Sequence, residues 1–260
     1  MARKSIFLAV AAIGVVAVVS AAVAQSPNAA QQPASQTTSK GLNAIDRSAA
    51  ADKYLFVFFW REKSQQTSTM WGVFQTATSK LTDRADAVAI NVLDPAEKPM
   101  AAKFGTDRSP LPLVLALAPN GAITKGFPGR LTEDQLSQAF VSPGTANCLK
   151  ALQDRKLVLL CVQNSTTQFN VAAIQGARDL QADPRYAAHT EVVLLNSAES
   201  GEASFLKGLH IDPQTPQPVT VLMAPPGSVV GTFVGDVTKA ELIAKLNAAS
   251  SCGPNCSCHH

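Results

Sequence analysis

The chain has 260 residues, 46% of them hydrophobic and 16% charged, with a formal net charge of +3. That length fits one large or two small domains. Three of the positive charges, Arg3, Lys4 and Lys40, lie outside any expected core, and Lys and Arg form no stripe interleaved with aromatic residues, which argues against nucleic acid as a partner.

Residues 1–4 are a short basic start, and residues 6–23 are almost wholly apolar. Ala22-Val23-Ala24 ahead of Gln25 is a small-x-small cleavage pattern, so residues 1–24 read as a secretory signal peptide. The alternative is a retained anchor, because the apolar run is near the length that spans a bilayer. Export to the periplasm or the exterior is expected, with the membrane met only through this segment. Residues 25–45 begin as a stretch of Ala, Gln, Ser, Thr and Pro that can bury little surface, and they are expected to be a flexible linker.

The run Tyr54-Leu55-Phe56-Val57-Phe58-Phe59-Trp60 predicts a strand buried on both faces. Met70, Phe74, Ala77 and Leu81 recur at helical spacing and predict a helix over 67–81. A strand over 87–92, a short helix over 95–104, a strand over 113–118 and a strand over 122–127 follow, the last two joined by the turn signal Pro119-Asn120-Gly121. A helix over 132–140, with a Thr cap and acids in its first turn, closes the unit. The order β-α-β-α-β-β-α then recurs after a leading helix over 146–155. It gives strands at 157–162, 191–195, 219–223 and 228–234, and helices at 168–181, 203–209 and 238–246.

The halves superimpose without a gap over part of their length. Pro110 and Pro216, Pro112 and Pro218, Gly121 and Gly227, Gly129 and Gly235, Thr132 and Thr238, and Leu136 and Leu242 are each 106 residues apart. Coinciding prolines and glycines at one offset indicate an internal repeat, and Pro143-Gly144 marks the junction. Domains are therefore expected at 46–142 and 143–249, with a tail over 250–260.

This order, with a proline directly before the third strand and a Gly turn after it, resembles the thioredoxin fold. Phe58-Phe59-Trp60-Arg61-Glu62-Lys63 looks like the strand end that precedes the family's redox motif. Leu111-Pro112-Leu113-Val114-Leu115 looks like its cis-proline and following strand. The fold class implied is α/β, two tandem thioredoxin-like domains, each a central mixed sheet flanked by helices.

The resemblance also implies Cys-x-x-Cys after the Trp-containing strand. The corresponding positions read Ser64-Gln65-Gln66-Thr67, and in the second repeat Ser165-Thr166-Thr167-Gln168. A hydroxyl cannot exchange disulfides, so Ser64, Thr67, Ser165 and Gln168 replace the redox pairs and no family chemistry is expected there. The family's cis-proline loop presents a backbone edge to extended peptide. If Pro112 and Pro218 are cis, Leu111 and Gln217 would offer that edge, a form of strand addition; otherwise the prolines only end a connection.

The last nine residues hold Cys252, Cys256, Cys258, His259 and His260, which are three of five cysteines and two of four histidines. Thiolates and imidazoles suit Cu(I) and Zn(II). The same cysteines could instead form disulfides, in a redox role or between chains, or have no specific role. Five cysteines is an odd number, so in an oxidising compartment at least one is free, metal-bound or shared between chains. Cys161, in an apolar run, is expected to be a buried core thiol, and Cys148 has no assigned role. His189 and His210 are isolated and expected at the surface or at caps. Ser64 has no neighbouring His-Asp motif to make it a nucleophile.

The leading function is thus an exported, non-catalytic adaptor holding a protein or peptide partner, with a Cu(I) or Zn(II) site in the tail. Two alternatives stand beside it: a metal-handling protein acting through the tail, and a thiol-disulfide oxidoreductase using the tail cysteines.

Overall fold

The computed structural model of the protein describes residues 39–251. Among them eight strands form two four-stranded sheets. β1 (Tyr54–Trp60) is apolar throughout and buried at all but its last residue. It is a central strand, parallel to β2 (Ala85–Asn91) and antiparallel to β3 (Leu113–Leu117). β4 (Ile123–Pro128) pairs antiparallel to β3, giving the order β2-β1-β3-β4. Between β3 and β4 the turn forms as the sequence indicates: Asn120 Oδ1 accepts from the Ala122 amide at 3.0 Å and Gly121 takes a φ of 80°.

A parallel pair needs a crossover, and α2 (Gln65–Ser79) supplies it. Its Met70, Phe74 and Ala77 bury against Phe56 and Phe58 on one face of the sheet. On the other face Leu55, Val57 and Phe59 meet Ala44 of α1 (Lys40–Ala50) and Met100 of α3 (Lys98–Lys103). Fully burying one such side chain is worth about 1.5–3 kcal/mol. Phe56, Phe58, Phe59 and Phe74, each at most 1% exposed, therefore anchor this half. α4 (Glu133–Ser137) closes it, capped by Thr132 and Gln135 and burying Leu136.

The second half repeats the plan. α5 (Pro143–Gln153) leads into β5 (Leu157–Gln163), α6 (Asn170–Gln181), β6 (Thr190–Asn196) and α7 (Ala203–Gly208). β7 (Val219–Ala224), β8 (Ser228–Val234) and α8 (Lys239–Ser251) complete it. The order is β6-β5-β7-β8, with the same parallel and antiparallel pairings. The halves touch where both backbone groups of Ile123 bond the Gln153 side chain, at 2.9 and 2.7 Å.

The fold starts earlier than composition suggests. α1 begins at Lys40, inside the stretch expected to be linker, because Ser39 caps it: the Ser39 hydroxyl accepts from the Leu42 amide at 3.1 Å and donates to Glu97 at 2.7 Å. The buried Glu97 carboxylate also accepts the Lys40 amide at 2.7 Å. The second half has the same device. Ser142 caps α5, and Glu202, 2% exposed, accepts from the Thr145 hydroxyl at 3.0 Å. A carboxylate at a helix N-terminus meets the positive end of the macrodipole. Glycine lets it come close: a Cβ on Gly144 would stand 2.5 Å from Glu202 Oε1, and one on Gly41 would stand 3.0 Å from Glu97 Oε2. α8 also extends past the expected residue 246 to Ser251.

Cys148 and Cys161 are buried free thiols. Burial pushes both up to about 11, and the Glu202 charge adds to the effect at Cys148. Among the described residues no helix is long and apolar enough to cross a membrane.

Candidate functional site

The first-domain residues singled out in the sequence come together at the end of β1. Ser64 is the N-cap of α2; its hydroxyl accepts from the Thr67 amide at 3.1 Å and lies 3.0 Å from the Thr67 hydroxyl. The helix start thus holds two hydroxyls, three residues apart and hydrogen-bonded to each other. Facing them is the Leu111-Pro112 loop, whose peptide bond is cis. Ser64, Thr67, Leu111 and Pro112 line one cavity of about 420 Å³, with Arg61, Glu62, Gln66 and Ser109 at its sides.

Two bonds hold the loop. The Gly129 amide donates to the Pro112 carbonyl at 2.7 Å, and the Gln66 side chain donates to the Gly129 carbonyl at 3.0 Å. Leu111 itself is left out: among the described residues no donor or acceptor meets its N–H or its C=O. Leu111 therefore offers, at the cavity wall, a main-chain donor and acceptor that no described protein group meets.

The second domain differs at each of these points. Ser165 lies exposed in a turn, and Gln168 donates its amide to the Pro216 carbonyl at 3.0 Å. Neither stands where Ser64 and Thr67 stand. The bonded pair three residues apart is Thr167 and Asn170, with the Thr167 hydroxyl donating to Asn170 Oδ1 at 2.6 Å. An Asx turn displaces the register: Asn164 Oδ1 accepts the amides of Thr166 and Thr167 at 2.8 and 3.1 Å, which delays α6 to Asn170. The Asn164 side chain was the available signal for this shift.

Gln217-Pro218 is also not a cis-proline loop. Among the described residues the cis bonds are Leu111-Pro112 and Pro225-Pro226, the latter in the β7–β8 turn. Gln217 is occupied as well. Its amide donates to the Thr215 hydroxyl at 3.4 Å, and that hydroxyl donates to the Gln217 carbonyl at 3.1 Å. What the two loops share is the strut beyond them, since the Gly235 amide donates to the Pro218 carbonyl at 2.8 Å.

The chemistry of the first-domain site is limited. A hydroxyl cannot exchange disulfides, and among the described residues the Ser64 hydroxyl bonds only Thr67, with no base hydrogen-bonded to it. His189 and His210 are exposed, away from this cavity. No group of three or more His, Cys, Asp or Glu among the described residues could hold a metal ion. Cys252, Cys256, Cys258, His259 and His260 lie outside those residues.

Two four-stranded mixed sheets, each with a helix crossover between its parallel strands and helices on both faces, define two tandem thioredoxin-like domains. No protein-family model and no curated protein matches the chain. Solved structures do. The germline-specific thioredoxin Deadhead (thioredoxin-1) of Drosophila melanogaster is 14% identical over 39% of this chain and 92% of its own, with a TM-score of 0.31. A disulphide isomerase from Xylella fastidiosa Temecula1 is 14% identical over 41% of this chain and 82% of its own, with a TM-score of 0.30. The fold assignment stands on the strand order and pairing of the two sheets.

Proposed function

We propose that this is an exported, non-catalytic thioredoxin-like binding protein whose first domain holds an extended segment of a protein partner. The observation that carries the reading is the vacant Leu111 N–H and C=O beside the hydroxyl pair of Ser64 and Thr67. An extended chain laid along Leu111 gains two main-chain hydrogen bonds, the basis of strand addition, and among the described residues no thiol lines the cavity to attack it. The second domain does not share this role, because Thr215 already fills both groups of Gln217. Export rests on the composition of residues 1–24. The Cys/His tail follows directly on α8 and supplies ligands suited to Cu(I) or Zn(II).

The test is hydrogen exchange on the full chain with a carboxymethylated, permanently unfolded protein as probe. The Leu111 amide should exchange freely alone and become protected on binding, while Gln217 does not change. The same preparation should reduce insulin no faster than buffer when the tail thiols are alkylated. An unprotected Leu111 amide at saturating probe would overturn the reading.

A further inference from the structure

A second hollow flanks the first turn of α2. It holds about 270 Å³ and is walled by Phe58, Trp60, Trp71 and Ala89, with Lys63 at its rim. Thr67 lines both this hollow and the Leu111 cavity, so the two are neighbours across one turn of helix. Trp60 and Trp71 are the chain's only tryptophans, and both are half-buried. The aromatic wall is braced from behind, with Trp71 stacked on Phe74 at 5.4 Å and edge-on to Phe58 at 5.2 Å.

Two of the residues that wall the hollow differ between the repeats. Ala89 is the fifth residue of β2, and the fifth residue of β6 is Leu194. Trp71 lies seven residues after Ser64 of the first bonded pair, and seven after Thr167 of the second stands Ile174. The first domain thus has a small residue on the edge strand and a tryptophan on the helix where the second has Leu194 and Ile174.

We infer that this hollow seats one bulky apolar side chain, aromatic by preference, of the extended segment paired at Leu111. The inference rests on that strand-addition reading and gives it a ligand class. An apolar cavity of about 150 Å³ already accepts a benzene ring, so there is room for a phenylalanine side chain. Stacking and edge contacts with the two indoles favour an aromatic occupant. Lys63 is exposed and makes no ion pair among the described residues, so a carboxylate beside the seated residue would meet a free cation at the rim. The partner segment is thus extended, with an aromatic residue next to an acidic one.

The experiment uses the full chain and two synthetic decapeptides identical except for one Phe-Glu or Ala-Glu step. Affinity is read by calorimetry, cavity filling by intrinsic fluorescence, and pairing by exchange at Leu111. The Phe peptide should bind about 10- to 100-fold tighter, the value of burying one such side chain, and it alone should shift the tryptophan emission. Ala89→Leu, which installs the second domain's residue, should reduce the Phe peptide to the affinity of the Ala peptide while Leu111 protection by both is kept. Ala89→Val is a smaller filling that guards against misfolding, and it should give an intermediate loss. Equal affinities with Leu111 protected would overturn the hollow's role and leave strand addition standing. If neither peptide protects Leu111, strand addition fails and the inference falls with it.

Discussion

The phenol of Tyr54 donates to the carbonyl of Val141 and accepts from its amide, each at 2.9 Å. Tyr54 opens β1, and Val141 immediately precedes the Ser142 cap of α5. The first strand of one half is thereby tied to the junction with the other. Phe140 reinforces the tie, with its ring 4.6 Å from that of Tyr54 and the Arg84 guanidinium 3.9 Å above it. Tyr54→Phe would leave both backbone groups of Val141 without this partner and should cost about 1–3 kcal/mol, read as a lower urea midpoint at unchanged slope.

The same residue gives a pH dependence. Burial raises the Tyr54 pKa above its ordinary 10.0, although the Val141 bond and Arg84 act against it. The unfolded chain therefore loses this proton first. Stability from Tyr54 is complete below pH 10 and falls as pH rises through and above it. The stability difference between wild type and Tyr54→Phe should narrow across that window, as measured by urea titration at pH 8 to 11. A difference that widens there would contradict the burial.

Gly176→Ala tests how closely α6 meets the segment entering α8. The added Cβ would stand 1.7 Å from the Val237 carbonyl oxygen, so backbone must move. Alanine gains about 1 kcal/mol in helix propensity, whereas overpacking costs about 1–3 kcal/mol or more. A net loss of stability is expected in thermal unfolding. A variant as stable as the wild type would mean the two segments are further apart than this.

The two described thiols should be chemically silent in the folded protein. With both pushed up to about 11, roughly one in a thousand is thiolate at pH 8, and only the thiolate reacts. Iodoacetamide at pH 8 should leave Cys148 and Cys161 unmodified until denaturant is added, as read by peptide mass spectrometry, which resolves them from Cys252, Cys256 and Cys258. Modification of either in native buffer would contradict its burial.

Much of the architecture is legible in one dimension. A strand apolar at every position, such as Tyr54–Trp60, is stable only at the centre of a sheet covered on both faces, so its place follows from its composition. The Asn120-Gly121 turn and the 106-residue offset likewise hold, because β3 and β7 are the same distance apart as the hairpins they begin. The offset does not extend to the rest of the repeat. β1 and β5 start 103 residues apart and β2 and β6 start 105 apart, since length changes collect in loops.

The remainder depends on partners distant in sequence. α1 is hidden in a polar stretch because what fixes its start is Ser39 bound to Glu97, 58 residues on. Thr167 and Asn170 replace Ser165 and Gln168 at the second helix start because Asn164 folds the loop onto itself. Leu111 and Gln217 occupy the same place before a proline and a strand. Which of them stays open was decided by one hydroxyl, that of Thr215, reaching back to Gln217. Composition and periodicity set the strands, helices and their order, because burial acts on each residue through its own side chain. Vacant hydrogen bonds and hollows depend on which groups meet after folding, and only the tertiary structure specifies that.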